Sequence, residues 1–517
     1  MNYPVWYFPG VGGGLLIASI AIIHVFISHF AVGGGLYLVF AERKGLREKS
    51  RAILDFTRTH AKFFLLMTVV AGGVTGVAIW FIIALVHPGA TSLLIHTFVF
   101  GWATEWVFFL VEIVSIFVYF YTFGKMDDRT HQIVGWIYFL AAWFSLLLIN
   151  GIIDFMLTPG AWLENRSFWS GFFNPLFWPS LVFRTAVACM FAGVYAFLTT
   201  SNLKDETTRR TMTLFSGKWV LVSYLAAIPC GIWYYASVPT PARTLISGAS
   251  PTIQRALQAG FWSLIALALL TLIFVILKPA RHSRPVALFV FLSAFVFMGA
   301  FEWSREAARR PYVINQLMYS NGVLQADVAG LQKNGFLPAA RWAKLKEIHE
   351  ENLPDAGKEL FILQCYACHT IGGVNNDFLA RTRTMSYPAM LAYLRTIHDK
   401  RYFMPPFAGN DQEARALAAF VVKGLHGKEI GEGTGAGGSR DPGEDVFEEH
   451  CSMCHTLRGG GNPLLPKLAG WDPQRIRHAL DMLDKLKGGI MPPLKAPPAD
   501  KDALAGFLAA SLRGGSK

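Results

Sequence analysis

The stretch GGLLIASIAIIHVFISHFAVGGGLYLVFA, residues 13–41, contains no Asp, Glu, Lys or Arg. A helix of about 20 apolar residues is long enough to cross the hydrocarbon core of a bilayer. Further apolar runs of similar length follow it along the chain. They occupy residues 62–86, 97–123, 132–156, 178–200, 218–238, 259–278 and 285–304. The sequence therefore predicts an all-α fold class, with a polytopic membrane bundle of about eight helices in the first part of the chain.

The composition of the whole chain agrees with this prediction. Of 517 residues, 53% are hydrophobic and only 16% are charged, against about 25% charged residues in an ordinary soluble domain. The net charge of +12 would also suit a nucleic-acid-binding protein, but no such motif is present. Basic residues of membrane proteins collect in cytoplasmic loops. We therefore expect contact with the lipid bilayer and no nucleic-acid partner.

The distribution of basic loop residues predicts the direction of the bundle. The loops after predicted helices 1, 3, 5 and 7 carry 15 Lys and Arg residues, whereas the loops after helices 2, 4 and 6 carry 3. Because the basic loops are the cytoplasmic ones, the N-terminus is expected outside. Eight crossings return the chain to the outside. Both termini are thus predicted to face the periplasm, with the bundle in a bacterial cytoplasmic (inner) membrane.

The less apolar tail contains one segment twice. AGKELFILQCYACHT begins at Ala356, and PGEDVFEEHCSMCHT begins at Pro442, an offset of 86 residues. Each copy carries C-x-x-C-H, the attachment signature of c-type haem. A redox dithiol or half of a zinc site would also use C-x-x-C, but two copies that both include the histidine disfavour these alternatives. We expect two covalent haem c groups, one on Cys365, Cys368 and His369 and one on Cys451, Cys454 and His455.

Each copy also has a methionine at a matching distance. Met404 lies in FMPPF and Met491 in IMPPL, 35 and 36 residues after the respective histidine. A methionine thioether, opposite the histidine, binds haem iron and raises its reduction potential. Met385 and Met390 are competing candidates in the first copy. The order of C-x-x-C-H, loop, Met-Pro-Pro and closing apolar helix resembles class I cytochrome c, so two small periplasmic domains of that type are expected.

The composition divides the chain into five parts. Residues 1–310 form the predicted membrane bundle, and residues 311–353 form predicted connecting helices. Residues 354–426 and 441–517 are the predicted cytochrome c modules, called module 1 and module 2 below. The glycine-rich segment 427–440 between them is typical of a flexible linker.

Several ionisable side chains lie inside the predicted membrane helices, where they are costly unless paired or functional. These residues are His24, His29, Glu105, Glu112, Asp154, Arg184, Glu302 and Arg305. Glu105 and Glu112 are seven residues apart and therefore share one helix face. Any single histidine is equally well explained as a hydrogen-bonded interior residue. The group as a whole indicates a functional interior.

At these positions the chain resembles subunit I of the cytochrome bd oxidases. The resemblance lies in AIIHVFISHFAVGGGLYLVFAE (21–42), EWVFFLVEIVSIFVYFYTFGKMDDRTH (105–131) and EAARRPY (306–312). It implies one or more haems b or d in the membrane domain. It also implies a second membrane subunit as a partner.

The resemblance assigns roles to single residues. His24 is expected to bind the iron of a membrane haem. Glu105 and Glu112 are expected to be catalytic and to relay protons or bind iron. Arg309, just after the last predicted helix, is expected to bind a haem propionate, unless it merely extends toward the lipid head groups.

The chain also departs from this family. Arg184 stands where the family has a helix-5 histidine ligand of its low-spin haem, and helix 7 offers no methionine as its partner. Only the 20 residues 239–258 join helices 6 and 7, where the family has a long quinol-binding loop. These departures weaken the case for the low-spin haem and the usual quinol site. Glu302 lies one turn from the family's helix-8 glutamate and is expected to bind iron in its place.

We therefore expect a membrane-bound multihaem electron-transfer protein. Electrons would enter from a periplasmic c-type cytochrome or another redox protein, pass through both c haems and reach haem near His24, with oxygen as the natural acceptor. Two alternatives stay open. One is a conduit between quinol and periplasmic cytochromes, which would make quinone a partner. The other is a c-haem-bearing anchor subunit of a larger respiratory complex.

Overall fold

The structure is a computed structural model that describes residues 3–430, 441–451, 455–458, 463–483, 485, 493–494 and 496–513. Cys454, Met491 and residues 431–440 of the predicted linker lie outside the described residues. The chain forms two compact units. Gly14–Tyr319 is called the membrane unit, and Met1–Gly13 together with Ser320–Lys517 is called the module unit.

Within the described residues, eight helices are long and apolar enough to span a bilayer, which confirms the predicted bundle. They are α1 (Gly13–Arg47), α2 (Arg51–Val86), α3 (Val99–Thr122), α4 (Asp128–Phe155), α5 (Phe177–Thr200), α6 (Glu206–Ser237), α7 (Thr252–Leu277) and α8 (Arg284–Ala307). Short helices in the connections span Pro88–Thr97, Trp162–Asn165, Phe168–Phe172 and Thr240–Thr244.

Helix α5 is the centre of this bundle. Its most apolar segment is 72% buried, against at most 39% in the other seven helices. Close crossings surround it. A Cβ at Gly33 of α1 would lie 1.9 Å from the carbonyl oxygen of Ala188 in α5, and a Cβ at Gly193 of α5 would lie 2.5 Å from that of Ser216 in α6. Glycine at these positions lets the helix backbones touch, as is common in membrane bundles.

Aspartates begin two of the spanning helices. Asp127 and Asp205 precede α4 and α6, and their side chains accept hydrogen bonds from the backbone N–H groups of Thr130 (2.9 Å) and Thr208 (2.8 Å). Hydrogen bonds from these threonines lower the pKa of both carboxyls. The charged carboxylates satisfy free N–H groups at the positive ends of the helices. These caps define where the chain enters α4 and α6.

The segment after α8 is less helical than predicted. We predicted connecting helices for residues 311–353. The structure has instead an antiparallel hairpin of β1 (Tyr312–Ile314) and β2 (Met318–Tyr319), the helix Val328–Asn334, and single turns at Gln325–Asp327 and Glu350–Asn352. Gly322 and Gly335 adopt positive φ angles, a conformation that interrupts helices and that glycine adopts without strain.

The two modules consist of short helices. Module 1 contains α9 (Leu353–Leu360, continued by a wider turn to Cys365), α10 (Phe378–Thr382), α11 (Tyr387–Lys400) and α12 (Asp411–Ala419, continued to Leu425). Module 2 contains α13 (Pro442–His450), the turn Leu465–Leu468, α14 (Pro473–Asp481) and α15 (Pro498–Arg513).

The sequence repeat is also a repeat of packing. In module 1 the rings of Phe361 and Phe420 are 6.1 Å apart at an angle of 49°. In module 2 the rings of Phe447 and Phe507 are 6.2 Å apart at the same angle of 49°. The helix before each C-x-x-C-H motif therefore packs on the closing helix in the same way in both modules.

The matched glycines of the repeat make this packing possible. A Cβ at Gly357 would lie 2.0 Å from the carbonyl oxygen of Ala416, and a Cβ at Gly443 would lie 2.1 Å from that of Ala503. These distances are far below van der Waals contact. Both positions consequently require glycine.

Substitution of these glycines should loosen each module separately. We expect Gly357→Ala and Gly443→Ala to destabilise module 1 and module 2 by about 1–3 kcal/mol, the usual cost of overpacking. Thermal unfolding followed by haem c absorbance measures the loss. Gly506→Ala is the matched control, because a Cβ there meets no atom within 4 Å. Equal midpoints for all three variants would contradict the proposed crossings.

Candidate haem sites and the polar interior

The attachment motif of module 1 has the arrangement that a c-type haem needs. The thiols of Cys365 and Cys368 form no disulfide. Nδ1 of His369 lies 3.0 Å from the carbonyl oxygen of Asn376. With Nδ1 donating to this carbonyl, Nε2 is left as the nitrogen that can bind iron, and the ring orientation is fixed. The side chain of Asn376 also donates to the carbonyl of Cys368 at 3.2 Å.

Three methionines compete for the second iron position of module 1. Met385 and Met390 are 2% and 1% exposed and belong to the apolar core of the module. Met404 is only half-buried, and Tyr393 donates a hydrogen bond to its sulfur at 3.4 Å. Nδ1 of His398 lies 2.6 Å from the carbonyl oxygen of Met404. An oriented sulfur outside the packed core favours Met404.

Module 2 is described in part. Cys451 is half-buried, and His455 lines a cleft of about 570 Å³. Phe447, Leu457 and Leu465 contribute apolar walls to this cleft. Polar side chains, among them Glu444, Thr456 and Arg458, line the rest of the cleft. Cys454 and Met491 stay predictions outside the described residues.

The first residues of the chain pack on module 1. The hydroxyl of Tyr366, inside the C-x-x-C-H motif, accepts from the N–H of Phe8 (2.7 Å) and lies 3.1 Å from its carbonyl oxygen. The N–H of Val374 donates to Gly10 at 3.1 Å. Burial raises the pKa of Tyr366, so the hydroxyl keeps its proton. We assigned this segment to the membrane bundle from the sequence, but these backbone hydrogen bonds attach it to the module unit.

Replacement of Met404 by leucine should leave one of the two c haems without its second iron ligand. Met404→Leu removes the sulfur, so we expect the c haem of module 1 to gain CO binding and to fall in reduction potential. Optical titration of the reduced protein with CO measures this change. Met390→Leu is the control, since a core substitution that conserves volume costs under about 1.5 kcal/mol and leaves the iron ligands intact. CO binding in the control variant, rather than in Met404→Leu, would assign the ligand to Met390.

The two histidines of α1 face different neighbours. Nδ1 of His24 lies 3.1 Å from the hydroxyl of Thr75 in α2. His29 is 2% exposed, and its Nδ1 donates to the carbonyl of Val25 at 2.8 Å. Its ring lies 6.2 Å from that of Phe191 in α5. In both residues Nδ1 is occupied and Nε2 is available, which fits the predicted iron ligand His24.

The predicted catalytic glutamates lie on the side of α3 that faces α4. The hydroxyl of Ser145 in α4 donates to Glu105 at 3.0 Å, and Glu112 interacts with the same hydroxyl. Both carboxyl groups are partly buried. The structure thus brings Glu105 and Glu112 together around one polar side chain.

Glu302 is held in an ion cluster between α5 and α8. One carboxylate oxygen lies 3.1 Å from the guanidinium of Arg184, and the other lies 2.9 Å from that of Arg305. All three side chains are at least 93% buried. Because each oxygen already faces a guanidinium, the carboxylate fits poorly as an iron ligand. The predicted metal role of Glu302 has no support in this geometry.

Arg309 lies at the edge of the same cluster. It is 7% exposed, pairs with Glu306 and donates to the carbonyl of Val313 at 3.0 Å. Among the described residues, Nε of Arg309 and Nη1 of Arg305 have no hydrogen-bond partner. Two buried donors without an acceptor fit a carboxylate such as a haem propionate, so the predicted role of Arg309 is compatible with the structure.

A second buried polar group joins the ends of α1, α3 and α4. Glu42, 3% exposed, accepts from the hydroxyl of Tyr119 (2.9 Å) and from Gln132 (2.6 Å). Nδ1 of His131 lies 2.6 Å from the other oxygen of Glu42, and its Nε2 lies 2.8 Å from the carbonyl of Tyr119. Sequence reasoning missed this group, because Glu42 follows an apolar run and looks like part of a basic loop.

Both parts of the chain are similar to known respiratory proteins. Residues 15–236 match the family model of cytochrome bd terminal oxidase subunit I. Residues 352–421 and 438–508 match the model of cytochrome C oxidase, cbb3-type, subunit III. The bd oxidase of Geobacillus thermodenitrificans has a similar fold, with a TM-score of 0.52 and 14% identity over 60% of this chain and 90% of that chain. No curated protein matches the chain.

These matches define the class as an integral membrane protein of respiratory electron transfer. The chain has a membrane domain like subunit I of cytochrome bd oxidase, followed by cytochrome c modules. The modules imply covalent haem c, and the membrane domain implies haem b or d. The resemblance drawn from the sequence is thereby confirmed.

A variant of Glu302 distinguishes ion pairing from iron binding. Glu302→Gln removes the charge shared by Arg184 and Arg305, and breaking a buried pair costs about 3–5 kcal/mol. We expect a lower thermal midpoint in detergent with unchanged membrane-haem spectra. The double variant Arg184→Met with Glu302→Leu removes one complete pair and should recover part of the loss. Normal stability with an altered haem spectrum in Glu302→Gln would instead make Glu302 an iron ligand.

Proposed function

We propose that this chain is the large subunit of a cytochrome c-fed terminal oxygen reductase. The observation that supports this most directly is the ion-paired Arg184, which stands where resemblance places a histidine ligand of the quinol-side low-spin haem. Cytochrome c modules on the same chain supply a different source of electrons. His24 and Glu112 stand at interior positions that the resemblance assigns to oxygen chemistry, and Glu105 stands one position away from the family's other helix-3 glutamate.

The electron route follows from the order of the modules. His455 and Met491 would hold the haem c that accepts electrons from a periplasmic c-type cytochrome or another soluble redox protein. His369 and Met404 would hold the second haem c, and His24 would hold the membrane haem that receives the electrons. The haems, two of type c and one or more of type b or d, would supply one-electron carriers. Arg309 would neutralise a propionate.

The reaction consumes protons as well as electrons. Reduction of one oxygen molecule to two water molecules takes four electrons and four protons. Glu105 and Glu112 hold and deliver protons, since their carboxyl oxygens lie together around the hydroxyl of Ser145 at 3.0 Å from Glu105. We place both termini in the periplasm of a bacterial cytoplasmic membrane.

A second membrane subunit has a suitable surface to bind. Large apolar side chains of α3 are exposed, among them Phe100 (75%), Trp106 (61%) and Val114 (58%). Lipid tails or an apolar helix of a partner would cover this surface. An anchor subunit without membrane haem is the competing function, because Arg184 replaces a histidine ligand of the family and Glu302 is held in ion pairs.

Oxygen uptake by the purified protein tests the proposal. Reduced cytochrome c and a quinol are supplied in turn, and haem types are counted from pyridine haemochrome spectra. Uptake from cytochrome c, in protein that contains haem b or d, supports the reductase. Uptake from quinol alone would indicate a quinol-driven enzyme. Haem c without any membrane haem, and no uptake, would leave an anchor subunit.

The glutamates should limit turnover without affecting electron input. We expect Glu112→Gln and Glu105→Gln to lower oxygen uptake about 10²-fold, the scale of a lost proton-transfer group. Reduction of the c haems by the donor, followed by stopped-flow absorbance, should keep its rate. Glu164→Gln, an exposed glutamate of a connecting helix, is the control. A full turnover rate in both variants would exclude proton relay by these glutamates.

A further inference from the structure

The N-terminal residues 5–12 lie across the haem-attachment motif of module 1 and are called the strap below. Tyr366 stands between the two cysteines of this motif. Its hydroxyl accepts from the N–H of Phe8 at 2.7 Å and donates to the carbonyl of the same residue at 3.1 Å. The ring of Tyr7 meets the ring of Tyr366 edge-on at 4.8 Å. With the strap in this place, Tyr366 is only 1% exposed.

Glycines stand at two places where the strap touches the loop after the motif. A Cβ at Gly373 would lie 2.4 Å from the carbonyl oxygen of Gly10. The next residue, Val374, donates its N–H to that same carbonyl at 3.1 Å. Gly12 has a φ of 78°, and a Cβ there would lie 2.7 Å from Cγ2 of Thr370. Backbone approaches this close require glycine, so the strap fits one particular site on the loop.

The loop under the strap, residues 370–376, orients the iron-binding histidine. The carbonyl of Asn375 accepts from the N–H and the hydroxyl of Thr370, at 3.1 and 2.8 Å. The carbonyl of Asn376 accepts from Nδ1 of His369 at 3.0 Å. A histidine ligand keeps its ring orientation through such a second hydrogen bond. The strap therefore supports His369 indirectly, because it holds Val374 of the same loop.

The two copies of the repeat differ at the residue that bonds the strap. At the offset of 86 residues, Ser452 matches Tyr366 in the sequence, so the second motif has serine in place of the phenol. A covered attachment motif affects the haem that it carries. Exclusion of water disfavours the more highly charged ferric state and thereby raises the reduction potential. The strap thus distinguishes two modules that otherwise share their packing.

We propose that residues 5–12 are part of the haem c site of module 1, where they position His369 through the loop 370–376 and keep water from the attachment motif. Phe8 and Gly10 act through their backbone groups, and Tyr366 is the positioning side chain that bonds Phe8. A raised potential at module 1 favours electron transfer from module 2 to module 1, the direction of the proposed route. The proposal requires the covalent haem c of this module and is independent of the final electron acceptor.

Redox titration of the purified protein, followed by haem c absorbance, tests the proposal. One variant lacks residues 3–9, which removes Phe8 and leaves α1, which begins at Gly13, intact. At a given applied potential, we expect the ferrous-to-ferric ratio of the module 1 haem to fall about tenfold, a downward shift of ~59 mV for one electron. The haem of module 2 should keep its potential. The CO-binding haem of Met404→Leu identifies which step of the titration belongs to module 1.

Single substitutions separate release of the strap from general damage. Tyr366→Phe removes the hydroxyl that holds Phe8 and keeps the ring, and Gly373→Ala places a methyl group against the carbonyl of Gly10. Both should lower the potential of the module 1 haem, as the deletion does. Val374→Ala is the matched control, because its side chain is 76% exposed and its backbone N–H, which bonds Gly10, is retained. This control should keep the wild-type potential.

Hydrogen–deuterium exchange of the strap reports its attachment independently of the haem. The N–H of Phe8 should exchange slowly in the wild type and in Val374→Ala, and rapidly in Tyr366→Phe. An unchanged module 1 potential in the deletion variant, or in a protein whose strap has been released, would overturn the proposal. Rapid exchange in the wild type would overturn it as well. Equal shifts of both c haems would also do so, because they would indicate a general loosening of the module unit.

Discussion

A charge inside hydrocarbon has to be paired, and the pairing of Arg184 with Glu302 is the constraint on which the rest of the membrane unit depends. Transfer of either ion from water costs several kcal/mol even after relaxation, so a single partner at 3.1 Å fixes α5 against α8. Because α5 is the most buried of the eight spanning helices, this pair holds the central helix of the bundle. The resemblance to subunit I of the cytochrome bd oxidases places a haem ligand at the position of Arg184, and we infer that electrons come instead from the c modules.

The polar groups of the interior separate into two sets. The ion cluster of Glu302 and Arg305 lies where α8 ends and α5 begins, and Glu42 lies where α1 ends and α4 begins. Consecutive spanning helices alternate in direction, so these two sets belong to opposite ends of the bundle. In the function we propose, propionates of haem meet the first set.

The module unit follows a simpler rule of construction. Covalent attachment of haem needs two thiols and a histidine within five residues, and a helix packed behind them. Phe361 with Phe420, and Phe447 with Phe507, repeat one ring geometry at 6.1 and 6.2 Å. Duplication of one such module therefore doubles the number of electron carriers, and both copies use the same packing between helices.

The amino-acid sequence by itself determined the eight spanning helices, the two haem-attachment motifs and the division into membrane and module parts. Apolar runs and C-x-x-C-H act through residues close together in the chain, so local pattern is sufficient. Tertiary structure decided which groups the polar side chains meet. Glu302 of α8 meets Arg184 of α5 at 3.1 Å, and Glu42 meets His131 across 89 residues of sequence. The N-terminal segment likewise joins module 1 through Tyr366, 358 residues from Phe8. The partner of a buried polar group depends on which helices pack together, and no local pattern carries that information.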